Sequence, residues 1–397
     1  MKPDGFQEIT AHDSPEKRVG VGILGYGFMG KVHSNALLKI PYTYQQPPAL
    51  PVLVAMGGRN ASRVRDTARR FGYPGIYTDW EKMVRDPDIE VFDNCTPDDQ
   101  HAGPSIAAAQ EGKHVLCEKP MALTAQEARK MWQEAEHAGI KHMCCFNYRF
   151  VPAVRLARRL LEEKALGTIY QFRVRYMQEA GRHPATALEN IWYASGTASG
   201  VLLGIGSHAL DMARFLVGDI TSISGLKKTF NPVRRTLNGK EAHVSTDEGN
   251  MALLEFADGA VGTMESSAVS PGRKNQLTWE INGSKGSMKF DLEDLNHLYV
   301  CLEDTVRLDV RGFTKISVTS PEHPLQCLHL PPGHNSGWEY SHIHALAHFL
   351  DCVANDKPVA PYGATFHDGY VVQAIMETIG KSMETGQRID TTTFLCK

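Results

Sequence analysis

Arg18-Val19-Gly20-Val21-Gly22-Ile23-Leu24 runs straight into Gly25-Tyr26-Gly27-Phe28-Met29-Gly30. The first seven residues form a short apolar run and read as a buried strand. A helical pattern is expected from Lys31 onward. Glycines at this spacing, between a strand and a helix, have separate duties. Gly25 allows the tight turn, Gly27 lets the backbone approach a pyrophosphate, and Gly30 lets helix pack on strand. Phe28 and Met29 belong to the same loop. Phosphates would rest on the helix N-terminus, where free N–H groups and the dipole favour anions.

Strand and helix patterns alternate outward from this loop. Strands are expected over 52–56, 89–94 and 114–117, with helices over 61–71, 104–111 and 124–138. The last opens with Thr124 and Glu127 at capping-box spacing, and Pro41 to Pro51 reads as a turn-rich insert. Such alternation predicts an α/β fold with a doubly wound parallel sheet. We assign residues 18–147 to a Rossmann domain and 1–17 to a loose lead-in. After Tyr148 the texture changes to a helix, 154–163, and strand-like runs at 169–177, 251–256, 261–267, 277–282 and 287–291. Turns are expected at Asp258-Gly259 and Asn282-Gly283. Residues 148–397 are therefore expected to form an α+β domain with one large, mostly antiparallel sheet. Helices are expected over 207–216, 342–354 and 368–385, the last packing back on the first domain.

A chain of 397 residues is comfortable for two domains. A formal charge of −3 gives no reason to expect a nucleic-acid partner. The N-terminus lacks an apolar targeting segment, and no run is long enough to span a bilayer. Eight cysteines without C-x-x-C spacing read as reduced thiols in a cytoplasmic protein.

The second strand is followed by Met56-Gly57-Gly58-Arg59-Asn60, with no acid. A carboxylate there pairs with ribose hydroxyls and repels a 2′-phosphate. Gly58 leaves room, Arg59 can clamp a 2′-phosphate, and Asn60 can bond a free ribose, so NAD and NADP both stay open. Cys117-Glu118-Lys119-Pro120 follows another strand. A lysine at that strand end points into the ligand crevice and can favour a substrate alkoxide as hydride leaves. Glu118 would hold it in place.

These segments, with Cys95-Thr96-Pro97 and His101, Gly112 to Pro120, Asn147-Tyr148-Arg149-Phe150 and Gly206-Ser207-His208-Ala209-Leu210-Asp211, resemble the glucose–fructose oxidoreductase / inositol dehydrogenase / MocA (Gfo/Idh/MocA) family over nearly the whole chain. The resemblance implies NAD(P)-dependent hydride transfer to or from a ring hydroxyl of a sugar, cyclitol or glycoside. It also implies that the large, mostly antiparallel sheet of the α+β domain is open, and a homodimer or homotetramer built through it. Lys119 and His208 match the catalytic positions. Cofactor contacts are expected from Gly25 to Gly30, Gly58 to Asn60, Thr96, Pro97, His101, Glu118 and Lys119. Substrate contacts are expected from Asn147, Arg149, Arg182, Trp192, Tyr193, His208 and His334. Relatives generally carry an aspartate four residues before the histidine; this chain has Gly204. Glu189, Asp211 and Tyr193 are candidate replacements. Two other readings are an NAD-assisted glycosidase, against which intact Lys119 argues, and a non-catalytic dinucleotide-binding sensor. His342, His344 and His348 lack metal-ligand spacing, and no metal is expected.

Overall fold

The computed structural model describes residues 17–194, 200–303, 308–325 and 330–394. Most of the expected lead-in, and Cys327 and Cys396, lie outside them. The first sheet consists of β1 (Arg18–Leu24), β2 (Leu50–Gly57), β3 (Gly75–Tyr77), β4 (Val91–Asn94), β5 (His114–Cys117) and β6 (His142–Cys144). All pairs are parallel, in the order β3-β2-β1-β4-β5-β6. The order reverses between β1 and β4, and ligands bind outside the carboxyl ends of strands at such a point. The helices of this part are α1 (Phe28–Thr43), α2 (Ala61–Phe71), α3 (Trp80–Met83), α4 (Ala102–Gln110) and α5 (Ala125–His137). Helix α1 starts three residues earlier than expected and runs through Pro41. Proline is tolerated there because it removes only its own N–H, and Tyr44 N–H closes the last turn on the Ile40 carbonyl. The Thr124–Glu127 capping box is present, and Gly72 ends α2 at φ 83°.

The remaining elements are α6 (Pro152–Glu162), β7 (Ile169–Met177), α7 (Ser207–Leu216), β8 (Ile220–Lys228), β9 (Val233–Arg235), β10 (Glu241–His243), β11 (Gly249–Phe256), β12 (Val261–Ser267), β13 (Gln276–Gly283), β14 (Gly286–Asp291), β15 (His297–Leu302), β16 (Thr314–Ser317), α8 (Glu339–Ala354), α9 (Phe366–Thr385) and β17 (Ile389–Asp390). Strands β9 and β10 form a separate hairpin, and the other nine form one sheet ordered β16-β15-β14-β13-β7-β12-β11-β8-β17. Every pair in it is antiparallel except β12 with β7. The β11–β12 turn holds Gly259 at φ 88°. The β13–β14 turn is Ser284-Lys285, because Asn282 and Gly283 still pair with Ser287 and Gly286. Period-2 burial on β7 puts Phe172, Val174 and Tyr176 inward, beneath α7. Helix α8 packs on α1 and β1, and α9 lies between α5 and β8, so α9 ties the two sheets together. Among the described residues no helix is long and apolar enough to cross a membrane, and Cys95, Cys117, Cys144, Cys145, Cys301 and Cys352 are free thiols.

Candidate active site

Two cavities meet at Phe28 and Met29. The first, of about 690 Å³, lies along the carboxyl ends of β1, β2 and β4. Gly25, Gly27, Gly58, Arg59, Thr96 and Pro97 line it. Its shape fits a dinucleotide. A Cβ on Gly25 would lie 2.4 Å from the Cys95 carbonyl oxygen, and one on Gly30 would lie 1.8 Å from that of Gly25. A Cβ on Gly27 would meet no protein atom within 4 Å. Gly25 and Gly30 are thus small for the protein's own packing, whereas Gly27 opens onto space a pyrophosphate can take. The first turn of α1 carries no acid and no side-chain cap, leaving its N–H groups for an anion. An acid does reach the cleft beside Arg59: Asp79, which also caps α3 through Glu81 N–H. It comes from beyond β3, a strand the sequence pattern did not reveal.

The second cavity, of about 560 Å³, lies between β5 and α7. Lys119 and His208 both line it, with Asn147, Trp192 and Gly204. The Lys119 ammonium donates to the Gly204 carbonyl at 3.1 Å. Gly204 sits in a π-helical turn, Leu202–Gly206, that leads into α7; such turns recur at functional sites. The space that an aspartate would need is filled, since a Cβ on Gly204 would lie 2.2 Å from the Trp192 ring. A polar wall completes the cavity. Tyr148 and Tyr176 share a hydroxyl hydrogen bond of 2.8 Å, the Tyr176 hydroxyl and Gln178 amide donate to Asn275, and the Trp338 indole donates to the Tyr148 hydroxyl. Of these five, Tyr148 and Trp338 lay in segments legible beforehand; the others come together only through strand register.

The His208 ring packs 4.6 Å from that of Tyr148, and its Nδ1 is buried without a protein partner. Burial, then the charges of Lys119 and His342, hold its imidazole well below the usual histidine range, against an opposing pull from Glu118. Beneath Lys119 lies a second polar group. His33 Nδ1 meets Asp93 at 2.8 Å and its Nε2 meets Glu118 at 3.1 Å. Burial disfavours the imidazolium of His33, but Asp93, Cys95 and Cys145 outweigh it and raise the pKa well above the ordinary value. Burial would likewise raise the Glu118 pKa; the His33 hydrogen bond and charge, with Lys119 and His342, hold the carboxyl far below its usual range instead. Glu118 also accepts the Lys119 backbone N–H at 3.2 Å, which fixes the lysine's main chain.

Residues 19–146 match the oxidoreductase family with an NAD-binding Rossmann fold, and residues 154–289 match the GFO/IDH/MocA C-terminal domain. The chain belongs to the Gfo/Idh/MocA family. Levoglucosan dehydrogenase of Pseudarthrobacter phenanthrenivorans is 36% identical, over 94% of this chain and 98% of its own. The NAD(+)-dependent scyllo-inositol 2-dehydrogenase of Bacillus subtilis is 25% identical, over 86% of this chain and 88% of its own. A solved structure of levoglucosan dehydrogenase with NADH and levoglucosan superposes with a TM-score of 0.89, at 36% identity over 94% of this chain and 99% of that one. This oxidoreductase is an NAD(P)-dependent dehydrogenase of the sugar and cyclitol class, transferring hydride between the nicotinamide and a secondary ring hydroxyl or ketone.

Several expected contacts fall elsewhere in this Gfo/Idh/MocA protein. Asn60 caps α2 by accepting Arg63 N–H and does not line the nucleotide cleft. His101 is buried, with its ring nitrogens on the carbonyls of Pro120 and Thr96, and ties two turns together. Arg149 forms a buried bidentate pair with Asp211, which removes both from the substrate cavity and Asp211 from the candidate replacements for the missing acid. Tyr193 is fully buried, donates to Glu248 at 2.8 Å and does not line the substrate cavity. Glu189 accepts Leu237 N–H, and Arg182 pairs with Glu179, both outside the cavity. His334 is exposed on its loop, bonded to the Pro331 carbonyl. His342, one of the three histidines without metal-ligand spacing and not among the expected substrate contacts, does line the cavity.

Proposed function

We propose that the enzyme oxidises one secondary hydroxyl of a compact, uncharged cyclic sugar or glycoside, with Lys119 and His208 serving the proton side. The observation that carries this reading is that both side chains line one cavity that adjoins the nucleotide cleft. Lys119 is the one Lys or Arg lining the cavity among the described residues, and its one carboxylate, Glu118, is committed to His33 and to Lys119 N–H. With Lys119 taken by the reacting hydroxyl, a charged group elsewhere on the substrate would find no free counter-ion among the lining residues. Trp192, Trp338 and Tyr148 suit the C–H faces of a sugar ring, and Asn147, Gln178 and Asn275 suit its hydroxyls. Levoglucosan, the substrate in the name of a 36% identical relative, is the first compound to assay.

Bound NAD(P)⁺ supplies the hydride acceptor, held by the Gly25 to Gly30 loop. Lys119 donates a hydrogen bond to the reacting hydroxyl and favours its alkoxide; neutral His208 takes the proton. In the reverse direction, His208 returns it. The carbonyl of Gly204 steers the ammonium, and the Trp192 ring fills the space that an aspartate side chain at this position would need. We place residues 18–147 in cofactor binding and 148–397 in substrate binding and assembly, and propose a cytoplasmic homodimer or homotetramer joined through the open sheet. The test is turnover of levoglucosan, inositols and glycosides with NAD⁺ and NADP⁺, alongside Lys119→Ala. Loss of most turnover with cofactor binding unchanged within a few-fold is expected. An undiminished Lys119→Ala rate removes the assignment.

A further inference from the structure

We propose that His33, Glu118, Cys145 and His342 form a buried four-donor site for one zinc ion. The donors come from α1, the carboxyl ends of β5 and β6, and α8, so no sequence spacing announces them. All four residues are buried, and one donor atom of each lies within 4.8 Å of the other three. His33 Nε2 is 3.1 Å from Glu118 Oε1 and 3.6 Å from Cys145 Sγ.

His342 is the observation that asks for a ligand. It is 1% exposed, and neither ring nitrogen has a hydrogen-bond partner. Buried imidazole nitrogens are ordinarily satisfied, and one of these faces the other three donors. The surroundings are those of a metal shell. His33 donates its far nitrogen to Asp93 at 2.8 Å, which orients the ring and raises its basicity. Glu118 binds through one oxygen and keeps the other for Lys119 N–H. Two nitrogens, one thiolate and one carboxylate suit a borderline-soft ion in four-coordinate geometry. Zinc would displace one proton from His33 Nε2 and one from Cys145 Sγ, so the net charge of the buried group does not change. Glu118 and His342 border the substrate cavity, which gives the ion an access route.

A site with four protein donors is closed and structural. It would clamp α8 to α1 and fix the base of Lys119, and it stands apart from the proton roles proposed above. A rival set, His33, Asp93 and Cys95, lies on the other side of the same ring; it offers three donors and leaves His342 unpartnered.

The experiment is metal analysis of the purified full chain after equilibration with zinc and desalting, with cobalt substitution as the spectroscopic probe. About one zinc per chain is expected, and the cobalt form should show thiolate-to-cobalt charge transfer and four-coordinate d–d bands. Cys145→Ser should abolish the charge-transfer band and lower zinc affinity at least tenfold; His342→Ala should lower affinity similarly. Cys95→Ser should change neither. Circular dichroism confirms that each variant is folded. No bound metal in folded wild type, zinc indifferent to Cys145→Ser (an adventitious ion only), or loss through Cys95→Ser alone each overturns the proposal.

Discussion

At the scale of single residues, the site separates groups by environment. His208 lies deep beside Lys119, with Glu118 and His342 as the other titratable neighbours that bear on it. Burial and the lysine charge both disfavour its imidazolium, so the neutral, proton-accepting form persists to lower pH than in a free histidine. Oxidation should therefore be flat from pH 6.5 upward, and its acid limb should fall below the ordinary midpoint of about 6.5. His208→Ala should cost on the order of 10²–10⁴ in rate and remove that limb. A wild-type limb at or above the ordinary midpoint, or one that survives the substitution, excludes His208 as the acceptor. The nucleotide end has its own pair of opposed groups, Arg59 and Asp79. Gly58→Asp is no test of cofactor choice, because a Cβ there would lie 2.5 Å from the Tyr26 ring. Arg59→Ala should lower kcat/KM for NADP⁺ more than for NAD⁺. Asp79→Asn, which keeps the helix cap, should shift the ratio toward NADP⁺ by relieving repulsion of the 2′-phosphate. Ratios unchanged in both variants would mean that neither residue reads the ribose.

At the scale of elements, the π turn at Leu202–Gly206 and the loop bearing Trp192 act as one unit. Gly204 supplies a carbonyl to Lys119 and vacates its side-chain space for the indole. Gly204→Asp should push Trp192 out and cost at least about tenfold in kcat/KM. Trp192→Ala should mainly raise KM by removing a stacking surface. Combined, they should lose less than the product of the two, with a coupling of about 0.5–3 kcal/mol, because the clash no longer exists. Strict additivity in the double-mutant cycle would mean that indole and glycine do not share the space. The glycine loop and Lys119 were legible in the sequence because each follows a local rule, a turn spacing and a strand end, whereas His208 was legible only through the family resemblance. Tyr176, Gln178 and Asn275 were not, since β7 and the segment leading into β13 meet only through the sheet's register. Arg149 and His101 were misread for the converse reason. A polar residue inside a functional-looking segment serves a buried ion pair or a turn equally well, and only its partner decides which.

At the scale of the whole molecule, helices cover one face of the nine-stranded sheet, and among the described residues the other face stays open. Leu226 on β8 pairs in register with Met251 on β11, and both are about half exposed, as is Leu253 two residues on. Beside them run Arg173 and Arg175 on β7, Glu265 on β12 and Glu280 on β13, charges of both signs on adjacent strands. A surface with an apolar strip next to mixed charge is self-complementary under a two-fold axis, where each strip meets its own copy and each cation an anion. Lone exposed apolar residues need no explanation, but a contiguous strip across paired strands does. Met251→Glu with Leu253→Glu puts two like charges in each copy at the centre of that contact. The wild-type chain should elute as a dimer or tetramer by light scattering, and the double variant should shift toward half that mass or less. Its circular dichroism should be unchanged, since neither side chain enters the core. An unchanged assembly mass would place the contact on another surface, and a monomeric wild type would remove the oligomer from the proposal altogether.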